Sequence, residues 1–316
     1  MQISVSMCKQ KLPLFQFPAN AIAQILHSRK EKVVVVMGAT GTGKSRLSVD
    51  LATRFPAEVI NSDKMQVYKG LDIVTNKITD KERCGVHHHL LGVVDPESDF
   101  SAASFRAMAS SAVKSILLRK KLPIIVGGSN SFIEALVDSE FRSRYDCCFL
   151  WVDVSMPTLH SFVSDRVDRM VERGMVDEVR DLFNPQADYS RGIRRAIGVP
   201  ELDNFFRIES FSNDEETRAR ILSEAIDRIK MNTSKLACRQ LEKILRLRNA
   251  KGWELHRLDA TDVFRKRGGE SEAAWENTVA GRGAAMVSRF LCGRRRVAYS
   301  GGALGVEAPL MAAASY

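Results

Sequence analysis

Long apolar runs and low-complexity segments are both missing from this sequence. No stretch of the 316 residues approaches the roughly 18 consecutive apolar residues that a membrane-spanning helix needs. Only nine residues are proline, and the 20 glycines follow no period, which excludes collagen-like and low-complexity chains. We therefore expect a globular protein without a membrane partner.

Patterned cysteine is missing as well. The six cysteines form neither a C-x-x-C pair nor a spacing typical of zinc sites, and they stand at Cys8, Cys84, Cys147, Cys148, Cys238 and Cys292. This scatter excludes a disulfide-stapled miniprotein and indicates a reducing compartment.

Positive charge is scarce in the body of the chain, although the formal net charge is +9. Residues 1–32 hold five basic side chains against Glu31, and residues 281–316 hold five against Glu307, so the rest is near neutral. A surface that binds a polynucleotide would carry its positive charge throughout. Nucleic acid is therefore a disfavoured partner.

The first 31 residues form a leader without the apolar segment of a secretory signal. Several basic residues and serines precede the first acidic residue, Glu31. This composition is typical of an organelle transit segment and equally of a plain disordered leader.

Short β-branched runs alternate with helical patterns, which predicts a parallel α/β sheet. The runs lie at 32–37, 58–60, 122–126 and 147–154, and residues 105–120 have helical spacing between them. From Thr158 the chain reads as helices, and a last strand follows at 253–259. We therefore predict a P-loop NTPase-like parallel sheet with a mostly helical second lobe, divided into a leader (1–31), a P-loop α/β core (32–157), a helical lobe (158–250), a return to the core (251–292) and a disordered tail (293–316).

A glycine-rich loop follows the first strand and matches G-x-x-x-x-G-K-[ST], with the residues Gly38, Ala39, Thr40, Gly41, Thr42, Gly43, Lys44 and Ser45. Its amide groups and the N-terminus of the next helix bind phosphate oxygens. Lys44 supplies a positive charge, and the Ser45 hydroxyl a ligand for Mg²⁺. The motif leaves the phosphate compound open, with ATP as the default.

Asp63 follows the second strand, within the segment 59–68. The carboxyl ends of parallel strands meet at one edge, so Asp63 is expected beside the P-loop. A carboxylate there acts as a base toward a second substrate or holds Mg²⁺ through water. A helix N-cap at Ser62 or Asp63 is the structural alternative.

Several blocks in a fixed order resemble the adenine N6-prenyltransferases, which comprise tRNA dimethylallyltransferases and adenylate isopentenyltransferases. Besides the P-loop, the blocks are residues 61–73, 85–92, 126–131, 166–175, 195–198 and 239–240. The resemblance extends from about residue 32 to 291. It implies transfer of a dimethylallyl group from dimethylallyl diphosphate to N6 of adenine.

Three segments resemble the adenylate branch more than the tRNA branch. The chain reads Val74-Thr75-Asn76-Lys77 where the tRNA branch usually has G-T-A-K. It has a third histidine at 87–89 and Ser129 after two glycines, where the tRNA branch has P-H-H-L and G-G-T. A C-terminal zinc finger is also missing. The favoured acceptor is AMP, ADP or ATP, in cytokinin biosynthesis; the alternatives are tRNA and a small-molecule P-loop kinase.

The resemblance implies a role for each candidate residue. Asp63 is the catalytic base, and Thr40, Lys44 and Mg²⁺ stabilise the leaving diphosphate in the P-loop. The candidates for acceptor binding are Asn61, Ser62, Lys77, Ser129, Arg166 and Arg169. Three consecutive histidines cannot all face one metal ion, so His87, His88 and His89 are interpreted as structural or nucleotide-contacting. The likeness to plant enzymes favours a plastid location over the cytoplasm.

Overall fold

The computed structural model describes residues 30–209, 211 and 214–293. Nearly all of the leader, and the tail from residue 294, lie outside the described residues. Six strands form one parallel sheet in the order β3-β2-β4-β1-β5-β6. The strands are β1 (Glu31–Met37), β2 (Ala57–Asn61), β3 (His88–His89), β4 (Leu122–Val126), β5 (Tyr145–Asp153) and β6 (Leu255–Asp259).

The strand β1 lies inside the sheet, between β4 and β5, with Val34 opposite both Ile124 and Cys148. Its valines are fully buried because helices cover both faces of the sheet. Such burial explains why β1 reads as an unbroken apolar run rather than an alternating one. The predicted parallel sheet is confirmed, whereas the two-residue strand β3 was not predicted.

Twelve α-helices connect and cover the strands within the described ranges. They are α1 (Lys44–Arg54), α2 (Asp80–Arg83), α3 (Ala102–Leu118), α4 (Asn130–Leu136), α5 (Ser139–Arg144), α6 (Met156–Glu172), α7 (Met175–Leu182), α8 (Val199–Glu209), α9 (Glu215–Asn249), α10 (Thr261–Arg265), α11 (Gly268–Trp275) and α12 (Gly281–Cys292). A 3₁₀ turn lies at Gly192–Arg195, and a π-helical turn at Glu276–Ala280 joins α11 to α12. Among these helices none is long and apolar enough to cross a membrane.

The 35-residue helix α9 packs into all three apolar clusters of the molecule. Ile221 and Ile229 belong to the core of the helical lobe. Further along, Ala237 joins the cluster on the α1 face of the sheet, and Ile244 the cluster on the α3 face. One helix therefore connects the lobe to both faces of the sheet.

The helical lobe takes part of its core from the segment that follows β2. Val67, Tyr68, Leu71 and Val74 pack with residues of α6, α7, α8 and α9. The lobe is thus built from residues on both sides of the predicted boundary at 158.

Glu58, a buried carboxylate on β2, forms an ion network near the β3 edge of the sheet. Its carboxylate accepts hydrogen bonds from Arg119 Nη2 (2.6 Å), His89 Nε2 (2.7 Å) and Lys121 Nζ (3.0 Å). Burial by itself raises the pKa of Glu58, but these hydrogen bonds and the charge of Arg119 outweigh it and lower the pKa to about 2. The network ties β2 to β3 and to the end of α3.

We expect Glu58→Gln to reduce the free energy of unfolding at pH 7 by about 2–3 kcal/mol, because a buried carboxylate with a depressed pKa stabilises the fold. That contribution is complete above the ordinary glutamate pKa and is lost as the pH falls toward 2. Urea unfolding at pH 7 and pH 3 measures it, and the difference should shrink by more than half at pH 3. Glu224→Gln, at a surface pair with Arg220, is the control and should cost under about 0.5 kcal/mol. An equal cost at both pH values would contradict the role of Glu58.

Candidate active site

The loops after β1, β2 and β4 border one cleft at the carboxyl edge of the sheet. The cleft has a cavity volume of about 70 Å³, and its lining comprises Thr40, Lys44, Ser45, Ser48, Asn61, Asp63, Gln66, Asn76, Ile78, His88, Leu91, Val126, Gly127 and Gly128. The P-loop and Asp63 therefore share one site, as the sequence predicts.

The P-loop occupies the turn between β1 and α1 and is held by its own side chains. Lys44 Nζ donates to the Ala39 carbonyl oxygen at 2.6 Å, and Thr42 Oγ1 donates to the same oxygen at 3.0 Å. From the helical lobe, Arg166 Nη2 donates to Thr40 Oγ1 at 3.1 Å. The lobe thus brings a guanidinium group to the P-loop.

Gln240, on α9, connects the P-loop to the loop after β4. Its Oε1 accepts the Thr40 N–H at 2.7 Å, and its Nε2 donates to the Gly128 carbonyl oxygen at 3.0 Å. A Cβ on Gly128 would lie 2.4 Å from Gln240 Nε2, so a side chain there would displace the Gln240 amide from its position between the two loops. The sequence reasoning quoted Gln240 as part of a block but gave it no role, because no local motif shows that a residue 200 positions away meets the P-loop.

Asp63 is held at the entrance of the loop after β2. Its Oδ1 accepts the Met65 N–H at 3.0 Å, and its own N–H donates to Asn61 Oδ1 at 3.1 Å. The Asn61 amide also donates to the Leu90 carbonyl at 2.9 Å, and Ser129 Oγ accepts the Lys64 N–H at 2.9 Å. These bonds fix the Asp63 backbone from both neighbouring loops.

Basic side chains on the P-loop side of Asp63 have shifted pKa values. Burial lowers the pKa of Lys44 to about 8; the charge of Asp63 opposes this shift and that of Arg166 adds to it. Burial also lowers the pKa of Arg166 to about 10, with Arg169 contributing and Asp63 opposing. Positive charges packed together in this way are stabilised by an anionic ligand.

A second basic group consists of Lys64, Arg195 and Lys243, which interact electrostatically with one another and, through Lys64, with Asp63. Desolvation and then the charges of Lys243 and Arg195 lower the pKa of Lys64, while Asp63 acts in the opposite direction. Arg195 Nη2 donates to Tyr68 Oη at 3.4 Å, and no carboxylate within the described ranges pairs with any of the three. Sequence reasoning missed this group because its members come from three separate segments.

The predicted acceptor residues do not all reach the cleft. Asn61 lines it, and Ser129 lies beside it through its bond to Lys64. Ser62 is fully buried beneath Gly127, and Arg169 lies over the Phe162 ring at 5.3 Å.

Lys77 is the clearest exception among these candidates. Its ammonium group bonds to the Gly70 carbonyl and, at 2.7 Å, to Asp72 Oδ1. The side chain is buried in its own loop and stabilises the turn between residues 70 and 77.

The three histidines alternate between the two faces of the sheet edge. His88 lines the cleft, and its Nδ1–H donates to the Val86 carbonyl oxygen at 2.9 Å. Its buried Nε2 has no hydrogen-bond partner among the described residues. His87 and His89 lie with Glu58 so that one ligand atom from each falls within 4.8 Å of the others. Because Arg119 and Lys121 already neutralise Glu58, this set is a poor cation site.

The Ser45 hydroxyl fits a magnesium ligand. It is exposed in the cleft and has no hydrogen bond to any described side chain or backbone group. One hydroxyl beside a carboxylate, completed by phosphate oxygens and water, is a donor set that Mg²⁺ accepts.

A parallel sheet with a G-x-x-x-x-G-K-S loop between an inner strand and a helix has the fold of the P-loop class of α/β proteins. Two stretches of the sequence, 66–143 and 138–244, match the family model described as IPP transferase. The chain belongs to the IPP transferase family.

Similar proteins of known name include plant enzymes and tRNA-modifying enzymes. Adenylate isopentenyltransferase 3, chloroplastic, of Arabidopsis thaliana is 60% identical and covers 92% of this chain and 90% of its own. Adenylate isopentenyltransferase of Humulus lupulus is 49% identical, and the match covers 81% of this chain and 89% of the relative. Among solved structures, a eukaryotic dimethylallyltransferase acting on tRNA has a TM-score of 0.70 at 26% identity, over 83% and 80% of the two chains. A tRNA isopentenylpyrophosphate transferase of Bacillus halodurans has a TM-score of 0.64 at 27% identity, and the match covers 82% of this chain and 99% of that structure.

We expect diphosphate binding to drive proton uptake by Lys44 near pH 8, because the anion favours the ammonium form over a free group with a pKa of about 8. Affinity should fall by up to about tenfold per pH unit above 8 as the free lysine deprotonates. Titration calorimetry with inorganic diphosphate, in two buffers of different ionisation enthalpy, measures the protons. Lys44→Met corrects for the ionisation of the ligand. Equal proton exchange in both proteins would contradict this expectation.

Proposed function

We propose that this protein transfers the dimethylallyl group of dimethylallyl diphosphate to N6 of the adenine in AMP, ADP or ATP and releases diphosphate, in cytokinin biosynthesis. The proposal draws on its similarity to named adenylate isopentenyltransferases over most of the chain. It also draws on the geometry of the cleft.

One observation carries the proposal: the single carboxylate of Asp63 interacts electrostatically with two separate groups of basic side chains. Lys44 and Arg166 bond to P-loop atoms, whereas Lys64, Arg195 and Lys243 form the second group. Two anionic substrates served by one base fit this distribution of charge. A diphosphate suits the P-loop, and the phosphates of a nucleotide suit the second group.

The P-loop side favours departure of the diphosphate. As the bond between the allylic C1 and oxygen breaks, positive charge develops on the prenyl carbon and negative charge on the diphosphate. Lys44, the loop amides and the Thr40 hydroxyl stabilise the negative charge where it develops. Exclusion of water from the cleft matters, because water capture of the allylic cation would yield an alcohol.

Asp63 acts on the acceptor. The N6 amine of adenine is a weak nucleophile because its lone pair is delocalised into the ring. A carboxylate that accepts a hydrogen bond from N6–H orients the N6 lone pair toward C1 of the prenyl group. It takes the proton from N6 as the C–N bond forms. The hydrogen bond from the Met65 N–H to Asp63 Oδ1, and the one from the Asp63 N–H to Asn61 Oδ1, hold Asp63 in one orientation for this step.

Magnesium is proposed as the cofactor, with the Ser45 hydroxyl as its protein ligand. When bound, the ion would neutralise charge on the diphosphate leaving group. The residues of the chain supply the orientation and the base.

A free nucleotide is favoured over tRNA as the acceptor. Thr75-Asn76-Lys77 and the near-neutral body of the chain support this choice. The structural likeness to tRNA-modifying enzymes keeps tRNA as the second candidate. Membership in the IPP transferase family argues against a P-loop kinase.

An organelle location is proposed, with the plastid preferred. Similar enzymes of Arabidopsis thaliana are named chloroplastic, and one that is 53% identical is named mitochondrial. The basic, serine-containing leader agrees with such a location.

Mass spectrometry of parallel reactions tests the proposed acceptor. The protein is incubated with dimethylallyl diphosphate, Mg²⁺ and either AMP, ADP, ATP or an unmodified tRNA anticodon stem-loop. We expect nucleotide products heavier by one C₅H₈ unit and little product from tRNA at physiological salt. Faster transfer to the stem-loop, with a steep salt dependence, would overturn the acceptor assignment and leave the chemistry at Asp63 intact.

We expect Asp63→Asn to lower kcat by roughly 10²–10⁴, because asparagine keeps the bond to the Met65 N–H but has no basic oxygen. Binding of the prenyl donor should change little. Steady-state kinetics with both substrates measures the effect, and the exposed Asp80→Asn serves as the control. Near-normal turnover would exclude Asp63 as the base.

We expect Lys243→Ala to raise the KM for ATP by about tenfold and the KM for AMP less, since a lost charge matters most to the longer phosphate chain. The KM for dimethylallyl diphosphate should stay within twofold. Lys114→Ala, an exposed lysine on α3 outside the cleft, is the matched control. An equal rise for the prenyl donor would show that the two basic groups do not serve separate substrates.

A further inference from the structure

The C-terminal segment 268–292 packs against α1, the helix that carries the end of the P-loop. Trp275, the last residue of α11, is 3% exposed and belongs to the apolar cluster on that face of the sheet. Its indole Nε1–H donates to Asp50 Oδ2 on α1 at 2.6 Å. The proposed mechanism gives this tryptophan no role.

The indole ring lies directly against the P-loop glycine Gly43. A Cβ on Gly43 would lie 2.9 Å from both Cη2 and Cζ3 of Trp275. Gly43 precedes Lys44 and has a left-handed φ of 95°. Glycine adopts this conformation readily because it has no Cβ, so its own side chain does nothing to fix the backbone. The ring therefore limits the position of the residue whose amide leads into the first turn of α1.

Contacts made by charged side chains fix the position of Trp275 relative to α1. The Arg46 guanidinium lies 4.5 Å from the centre of the Trp275 ring. About two turns further along α1, Arg54 donates two hydrogen bonds of 3.0 and 2.6 Å to the Glu276 carboxylate. The half-buried Asp50 has a pKa raised by desolvation, which its hydrogen bond from Trp275 partly offsets.

We propose that Trp275 is a positioning residue for the diphosphate-binding loop: it holds Gly43 and the first turn of α1 so that the amide groups and Lys44 are in place before the donor binds. A loop ordered in advance loses less conformational entropy on binding, so affinity for the anion rises. This inference rests on the proposed binding of the donor diphosphate in the P-loop. Trp275 acts through Gly43 and need not contact the substrate.

Binding of inorganic diphosphate to the full-length protein tests the proposal. For Trp275→Leu we expect the Kd of diphosphate and the KM of dimethylallyl diphosphate to rise about tenfold, with the KM of ATP within twofold. Trp275→Phe keeps a ring against Gly43, so its Kd for diphosphate should rise only about threefold. Asp50→Asn retains an oxygen that accepts the indole N–H and should remain within twofold, whereas Asp50→Ala should resemble Trp275→Phe.

Trp253→Phe is the matched control, because Trp253 is also buried but packs on Phe149 and Arg142 across the sheet. It should lower the melting temperature without changing the Kd of diphosphate. An unchanged Kd in Trp275→Leu, or an equal rise in the KM of ATP, would overturn the positioning role. Failure of diphosphate to bind the wild-type protein would instead refute the proposed donor site.

Discussion

The side-chain amide of Gln240 is the contact on which the cleft depends. It accepts a hydrogen bond from the P-loop at Thr40 and donates one to the loop after β4 at Gly128, so it sets the distance between them. The backbone carbonyl of Gln240 accepts a hydrogen bond from the Asn130 side-chain amide at 3.0 Å, which anchors α9 to the start of α4. A buried amide with both ends bonded costs little and fixes orientation, whereas loss of one partner would leave the other unsatisfied.

The electrostatic design of the cleft follows from that fixed geometry. Basic side chains crowd around Asp63 without carboxylate partners in the described part of the chain, and burial lowers the pKa values of Lys44 and Arg166. Such an arrangement opposes the folded state until anions bind. It is the expected property of a site whose affinity and rate enhancement both come from charge placed in advance. The stable sheet and the lobe core hold these groups together against their repulsion.

Sequence reasoning succeeded where information is local. The apolar run 32–37, the glycine-rich loop and the position of Asp63 after a strand are each specified within a few residues, and the structure has them where they were expected. It failed where a role depends on tertiary packing. Lys77 has the residue type of a phosphate ligand, yet its ammonium group is bonded within its own turn. Gln240 and Trp275 meet the P-loop from more than 190 residues away, and no spacing rule relates such positions.

The course of α9 through all three apolar clusters has a consequence for how the molecule is assembled during synthesis. Both faces of the sheet remain partly uncovered until residues 237–247 are available, and β6 joins the sheet later still. Contacts of such high sequence separation form slowly, and the N-terminal strands would meanwhile expose their valines. The first two-thirds of the chain is therefore expected to remain incompletely folded on the ribosome. It would depend on chaperones until the final third has been synthesised.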